Sequence, residues 1–83
     1  MIPTMITHMV TRTAEGLSPL EQRRLAFGLS RERLGARAGV SAGTVKRVER
    51  GLVKPNLVTI KALAEALRSR PEDLFPGRPD LRP

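Results

Sequence analysis

Apolar positions in this chain recur three or four residues apart in short runs; each run follows a hydroxyl or amide residue, and the first three are closed by a glycine. Leu57, Ile60, Leu63, Ala64 and Leu67 form the clearest stripe, the spacing of one buried helix face. Leu34 and Ala38 stand four apart, Val45 and Val48 three apart, and Leu25 and Leu29 flank a glycine. With Leu20, Val40, Leu74 and Phe75 these positions are the expected core.

The punctuation agrees with the stripes. Ser18-Pro19-Leu20-Glu21 reads as a capping box with proline at the first helical position, predicting a helix to about Phe27 that stops at Gly28. Ser30 caps a second helix, Arg31 to Ala38, closed by Gly39. Ser41 caps a third, Ala42 to Arg50, closed by Gly51. Asn56 caps a fourth, Leu57 to about Leu67. Pro71 to Phe75 is one final helical turn or a short fifth helix, and the prolines beyond it do not continue a helix. Residues 1–16 lack a helical pattern and read as a flexible arm or a short strand. The expected organisation is therefore an arm over 1–16, a helical domain over 17–76 and a tail over 77–83.

Composition narrows the class. The chain has 83 residues, 40% apolar but only 2% aromatic, so one small all-α domain with an aliphatic core is expected. There is no cysteine and one histidine, His8, so neither a disulfide framework nor a zinc site is expected. Metal, cofactor and catalytic residues are all expected to be none. No apolar run approaches the ~20 residues of a membrane span. No basic residue precedes the apolar stretch Met1 to Val10, so a secretory signal is not expected and the cytoplasm is the default location.

Charge changes the picture most. Fifteen Lys and Arg against eight Asp and Glu give a formal net charge of +7, which suits a polyanionic partner, nucleic acid or an acidic membrane face. Arginine dominates the basic residues, through phosphate recognition or merely a GC-rich genome. Between Arg31 and Lys54 lie seven basic residues and two acidic ones. Gly39-Val40-Ser41 joins two short helices at a steep angle, and such a turn projects the second helix from the body, where its width fits the DNA major groove. On that helix positions 42, 43, 46 and 47 share one face, while Val45 and Val48 lie opposite.

Several spaced motifs stand in one register: Leu29-Ser-Arg-Glu-Arg-Leu34, Ala38-Gly-Val-Ser41, Thr44-Val45, Arg47-Val-Glu-Arg-Gly51, Pro55-Asn-Leu57, Leu63-Ala-Glu-Ala-Leu67 and Glu72-Asp-Leu-Phe75. Over about residues 20–75 the chain resembles the Cro/CI-type helix-turn-helix domain of phage and bacterial regulators, the xenobiotic-response-element family. The resemblance implies a lambda-repressor-like bundle of about five helices. It also implies a double-stranded DNA operator as partner, bound as a homodimer. Ala42, Gly43, Lys46 and Arg47 are the implied base-reading positions. Arg31, Ser41, Thr44 and Lys54 are the implied contacts to the DNA backbone, and Arg24 and Glu49 an implied structural salt bridge. Gly35 stands where the family commonly has alanine, and Arg68-Ser69-Arg70 where it commonly has Gly-Val-Ser.

A transcriptional repressor is the leading functional expectation. The alternative is an antitoxin that also binds a small toxin protein. The contact between copies is expected from the last helix and tail, Leu74 to Leu81, or from the arm. Arg33 and Arg37 fit DNA or open solvent equally. Arg12, Arg68, Arg70, Arg78 and Arg82 are expected to be surface charge.

Overall fold

The computed structural model describes residues 16–81; His8, Arg12, Arg82 and the expected arm lie outside them, apart from Gly16. Each of the first four helices begins where a short polar side chain takes up a free backbone N–H, as helix ends require. Ser18, Ser30, Ser41 and Asn56 accept from the amides of Glu21, Arg33, Thr44 and Thr59, at 2.8–3.2 Å. The helices are α1 (Pro19–Ala26), α2 (Arg31–Ala38), α3 (Ala42–Glu49), α4 (Leu57–Ala66) and α5 (Pro71–Leu74), followed by a 3-10 turn at Pro79–Leu81. No strand occurs among the described residues. The fold is all-helical, in keeping with the expected class.

Leu20, Leu34, Val45, Ile60, Leu63 and Leu67 are fully buried, with Leu29, Val48, Ala64 and Leu74 beside them. α2 packs against both α3 and α4, while α5 closes the bundle against α1 and α4. Two expected core residues are not buried: Leu25 is 51% exposed and Leu57 42%. On α1 the inward face at the end of the helix is taken by Arg24, one turn after Leu20, and the next residue is rotated about 100° outward. Leu57 stands in the first turn of α4, at the edge of the core. Ala38, Val40 and Phe75 are half-buried and pack against it.

The ends of the helices share one geometry. At the end of α1 the N–H of Leu29 reaches the Arg24 carbonyl and that of Gly28 the Leu25 carbonyl; α3 repeats this with Leu52 to Arg47 and Gly51 to Val48. These are the paired bonds of a Schellman stop, which needs a left-handed residue. α4 ends the same way, with Ser69 to Ala64 and Arg68 to Glu65. Here the left-handed residue is Arg68, at φ 51°. An L side chain there costs about 1–2 kcal/mol. Arg68→Gly is therefore expected to raise the melting temperature by about 4–8 °C, the equivalent of ~1 kcal/mol in so small a domain. An unchanged or lower melting temperature contradicts strain at this turn. Arg23 secures the same corner: its Nε and Nη2 donate to the carbonyls of Leu67 and Arg68, and its guanidinium lies over the Phe27 ring.

The tail is tied down as well. Arg78, expected as surface charge, donates from Nη1 to the Pro55 carbonyl at 2.8 Å and from Nη2 to Asp80 at 2.8 Å. Its hydrogen bond, with the weaker pull of Lys54, holds the Asp80 carboxyl below its ordinary value.

Candidate nucleic-acid interface

The turn between α2 and α3 sets how far α3 stands from the body. Gly39 ends α2 at φ 77°, a backbone state open to glycine at no steric cost. Gly35, one turn earlier, is buried; a Cβ built there would meet the Val40 carbonyl oxygen at 2.4 Å and Ser41 C at 3.2 Å. Only a glycine lets the turn lie so close against α2, which explains why alanine is missing here.

α3 then has two distinct sides. Val45 and Val48 are buried, at 0% and 7% exposure, whereas Gly43, Lys46 and Arg47 are exposed and Ala42 and Thr44 half-buried. The Ser41 hydroxyl accepts from the Thr44 amide and donates to Thr44 Oγ1 at 3.0 Å. Arg47 Nη2 donates to the same oxygen at 3.3 Å. The long side chain thus folds back toward the helix N-terminus, as helical side chains do. Gly43 makes room for it, since a Cβ there would sit 3.3 Å from Arg47 Nη1.

Beside this face runs a groove of about 360 Å³ between the N-terminal ends of α2 and α3, lined by Ser30, Arg31, Glu32, Ala42, Gly43 and Lys46 among others. Lys54 is exposed on the loop after α3, and Arg33 and Arg37 are exposed on α2.

Beneath the groove lies a charge cluster that joins three helices. Glu49, its side chain wholly buried, accepts from Arg24 Nε at 2.6 Å and from Arg31 Nε at 2.8 Å. Arg31 Nη2 also reaches Glu21 at 3.2 Å, and Arg24 Nη1 donates to the Leu29 carbonyl. Arg24 Nη2 lies 3.6 Å from Glu21. Two cations meet two anions, so the cluster is neutral and its desolvation is offset by hydrogen bonds. The bond to Glu49, with the charges of Glu49 and Glu21, holds the Arg31 guanidinium above its ordinary value against some loss of hydration.

The role of Arg31 inside this cluster was not visible in the chain order. Neither was that of Glu21, whose carboxylate joins the arginines instead of the Ser18 amide, so only half of the expected capping box forms. The one hint was spacing: Glu21 stands three residues before Arg24, within reach on one helix face. Arg31 keeps 28% of its side chain exposed, and its Nη1 has no partner among the described residues.

Among the described residues no group of His, Cys, Asp and Glu could hold a metal, and no helix is long and apolar enough to cross a membrane.

Comparison with known proteins agrees with this architecture. Two relatives cover most of their own length. One is the protein named uncharacterized HTH-type transcriptional regulator YgzD of Bacillus subtilis, 34% identical over 56 residues, 68% of this chain and 85% of the relative. The other is an uncharacterized HTH-type transcriptional regulator of Methanothermobacter thermautotrophicus, 35% identical over 57 residues, 68% of this chain and 83% of the relative. No solved structure is a significant match. The helix-turn-helix family model matches residues 20–74, which spans α1 to α5 and every element of the interface. The chain belongs to the helix-turn-helix family.

Proposed function

We propose that this protein is a sequence-specific, double-stranded-DNA-binding transcriptional regulator, a repressor that occupies an operator as two copies. The two-sided α3 carries this reading: Val45 and Val48 anchor it while Gly43, Lys46 and Arg47 face outward. A helix of ~10–12 Å diameter fits a major groove ~12 Å wide. The fold-back of Arg47 over the first turn, beside Thr44 and Gly43, supports its reading a guanine edge in this proposal, with Lys46 meeting an acceptor beside it.

The groove between α2 and α3 supports a backbone contact. The N-terminal residues of two helices, Arg31 among them, line it, and such ends favour phosphate. In this reading Ser41 and Thr44, at the start of α3, and Lys54, on the loop after it, supply the further backbone contacts. Ala42 and Gly43 offer few base contacts of their own, so one half-site carries little information. Two half-sites about 34–36 Å apart supply the rest. The names of the two relatives agree with a regulatory role.

The test is titration of variants onto a duplex recovered by selection. Lys46→Ala and Arg47→Ala are each expected to cost about 1–3 kcal/mol and to relax preference at one base pair. Lys54→Ala, a phosphate contact, is expected to weaken all duplexes alike and to lower the salt slope by about one. Full affinity in both the Lys46 and Arg47 variants contradicts the groove assignment.

A further inference from the structure

A second cleft, of about 660 Å³, opens where α1, the turn between α4 and α5, and α5 itself meet. Its volume falls in the range of small-molecule sites, and none of its lining residues lines the groove between α2 and α3. Pro19, Ala26 and Leu74 give it apolar walls, while Arg23, Arg68 and Arg70 bring three guanidinium groups to it. We infer that this cleft binds a small organic anion, an apolar body carrying a phosphate or carboxylate head. No residue of the DNA interface takes part, so this site stands or falls apart from the DNA reading.

The first support is Arg68, the one non-glycine residue at positive φ among the described residues. It holds a strained backbone where glycine would cost nothing. Yet its exposed guanidinium makes no hydrogen bond or ion pair with any described residue. Nothing within the fold offsets the strain through that side chain, and its five donors are open to an acceptor from outside.

Arg23 adds a second donor that is already in place. Its Nε and Nη2 are fixed on the Leu67 and Arg68 carbonyls, and its guanidinium lies over Phe27. That leaves Nη1 without a partner among the described residues. A guanidinium held in this way loses little freedom when an anion binds.

The balance of charge is the third support. Asp73 is the one carboxylate on the lining among the described residues, and both its oxygens accept from Arg70, at 3.1 and 3.4 Å. Glu72 approaches the same guanidinium at 3.9 Å. Both carboxylates are thus engaged by Arg70 and neither by Arg23 or Arg68. Two uncompensated cations beside apolar walls match an anionic head on an apolar body.

The experiment titrates the full-length, isotope-labelled protein with phenyl phosphate, benzoate and inorganic phosphate, following the backbone amides by NMR. The tighter of the two aromatic probes names the head group. It is expected to saturate with its largest shifts at Ala26, Arg68, Ser69 and Leu74, and to bind about tenfold tighter than inorganic phosphate. Arg68→Gly keeps the left-handed backbone and the carbonyl that Arg23 holds. It is expected to stay folded and to bind that probe about tenfold more weakly. Arg68→Asn, which tolerates the same backbone, is expected to lose as much. Lys61→Ala removes one exposed charge outside the cleft and is expected to bind as the parent does. Parental affinity in either folded Arg68 variant, equal affinity for inorganic phosphate, shifts centred on Arg31 and Lys46, or no saturation with either aromatic probe overturns the inference.

Discussion

Glu49→Ala is expected to lower stability by about 3–5 kcal/mol, because it strands the guanidinium of Arg24 inside the protein without its carboxylate. Arg24 is 6% exposed and Glu49 5%, so water does not replace the lost bond. Arg31 loses a bond in the same change and keeps only Glu21. In a domain of this size the loss corresponds to roughly 15–30 °C in melting temperature. Glu65→Ala, at an exposed position of α4, is the control and is expected to change stability by less than about 0.5 kcal/mol. Glu49→Gln keeps an acceptor and the side-chain shape, and is expected to fall between the two. Equal melting temperatures for Glu49→Ala and Glu65→Ala contradict a buried, structurally essential cluster.

Gly35→Val is expected to cost about 3 kcal/mol and to abolish DNA binding at temperatures where the protein is still folded. The atoms in the way are backbone, the Val40 carbonyl and the start of α3, and no side-chain rotation relieves them. The turn must open, and α3 must shift, drawing Val45 and Val48 from their places in the core. Gly43→Ala, by contrast, gains about 1 kcal/mol of helix propensity. Its new methyl meets the flexible end of Arg47 at 3.3 Å and lies in ordinary contact with the Ser41 hydroxyl at 3.8 Å. It is expected to be more stable than the parent. Circular dichroism melts of the two glycine variants separate a glycine required by the turn from one that only makes room for a side chain.

Helix boundaries were legible because the capping chemistry is local. A serine or asparagine three residues before the amide it accepts from, and a glycine at three of the stops, mark the ends without reference to the rest of the fold. The inward stripe of α4 from Ile60 to Leu67 and the two valines of α3 were legible for the same reason, since periodicity alone places them. Leu25 failed because the rule ranks leucine above arginine for burial. The inward position belongs to Arg24, whose charge is matched by Glu49, a residue 25 positions away. Glu21 failed likewise, because a local cap and a distant cation compete for one carboxylate and the cation wins. The tie between Arg78 and Pro55 spans 23 positions, and no local pattern announces it. In the interface, the exposed side of α3 follows from helical spacing. The folded-back Arg47 depends on side-chain bonds, which spacing does not reveal. Leu57 failed because an apolar residue at a helix start reads as core until the packing is known.

Selection of binding sites from random duplexes, followed by footprinting of the recovered sequence, bears most directly on the claim that α3 reads DNA. The expected result is enrichment of a twofold-symmetric motif with half-site centres about 34–36 Å apart on one face of the duplex, protected on both halves by the bound protein. Recovery of no common duplex sequence, or tighter binding to single-stranded RNA than to any selected duplex, contradicts it.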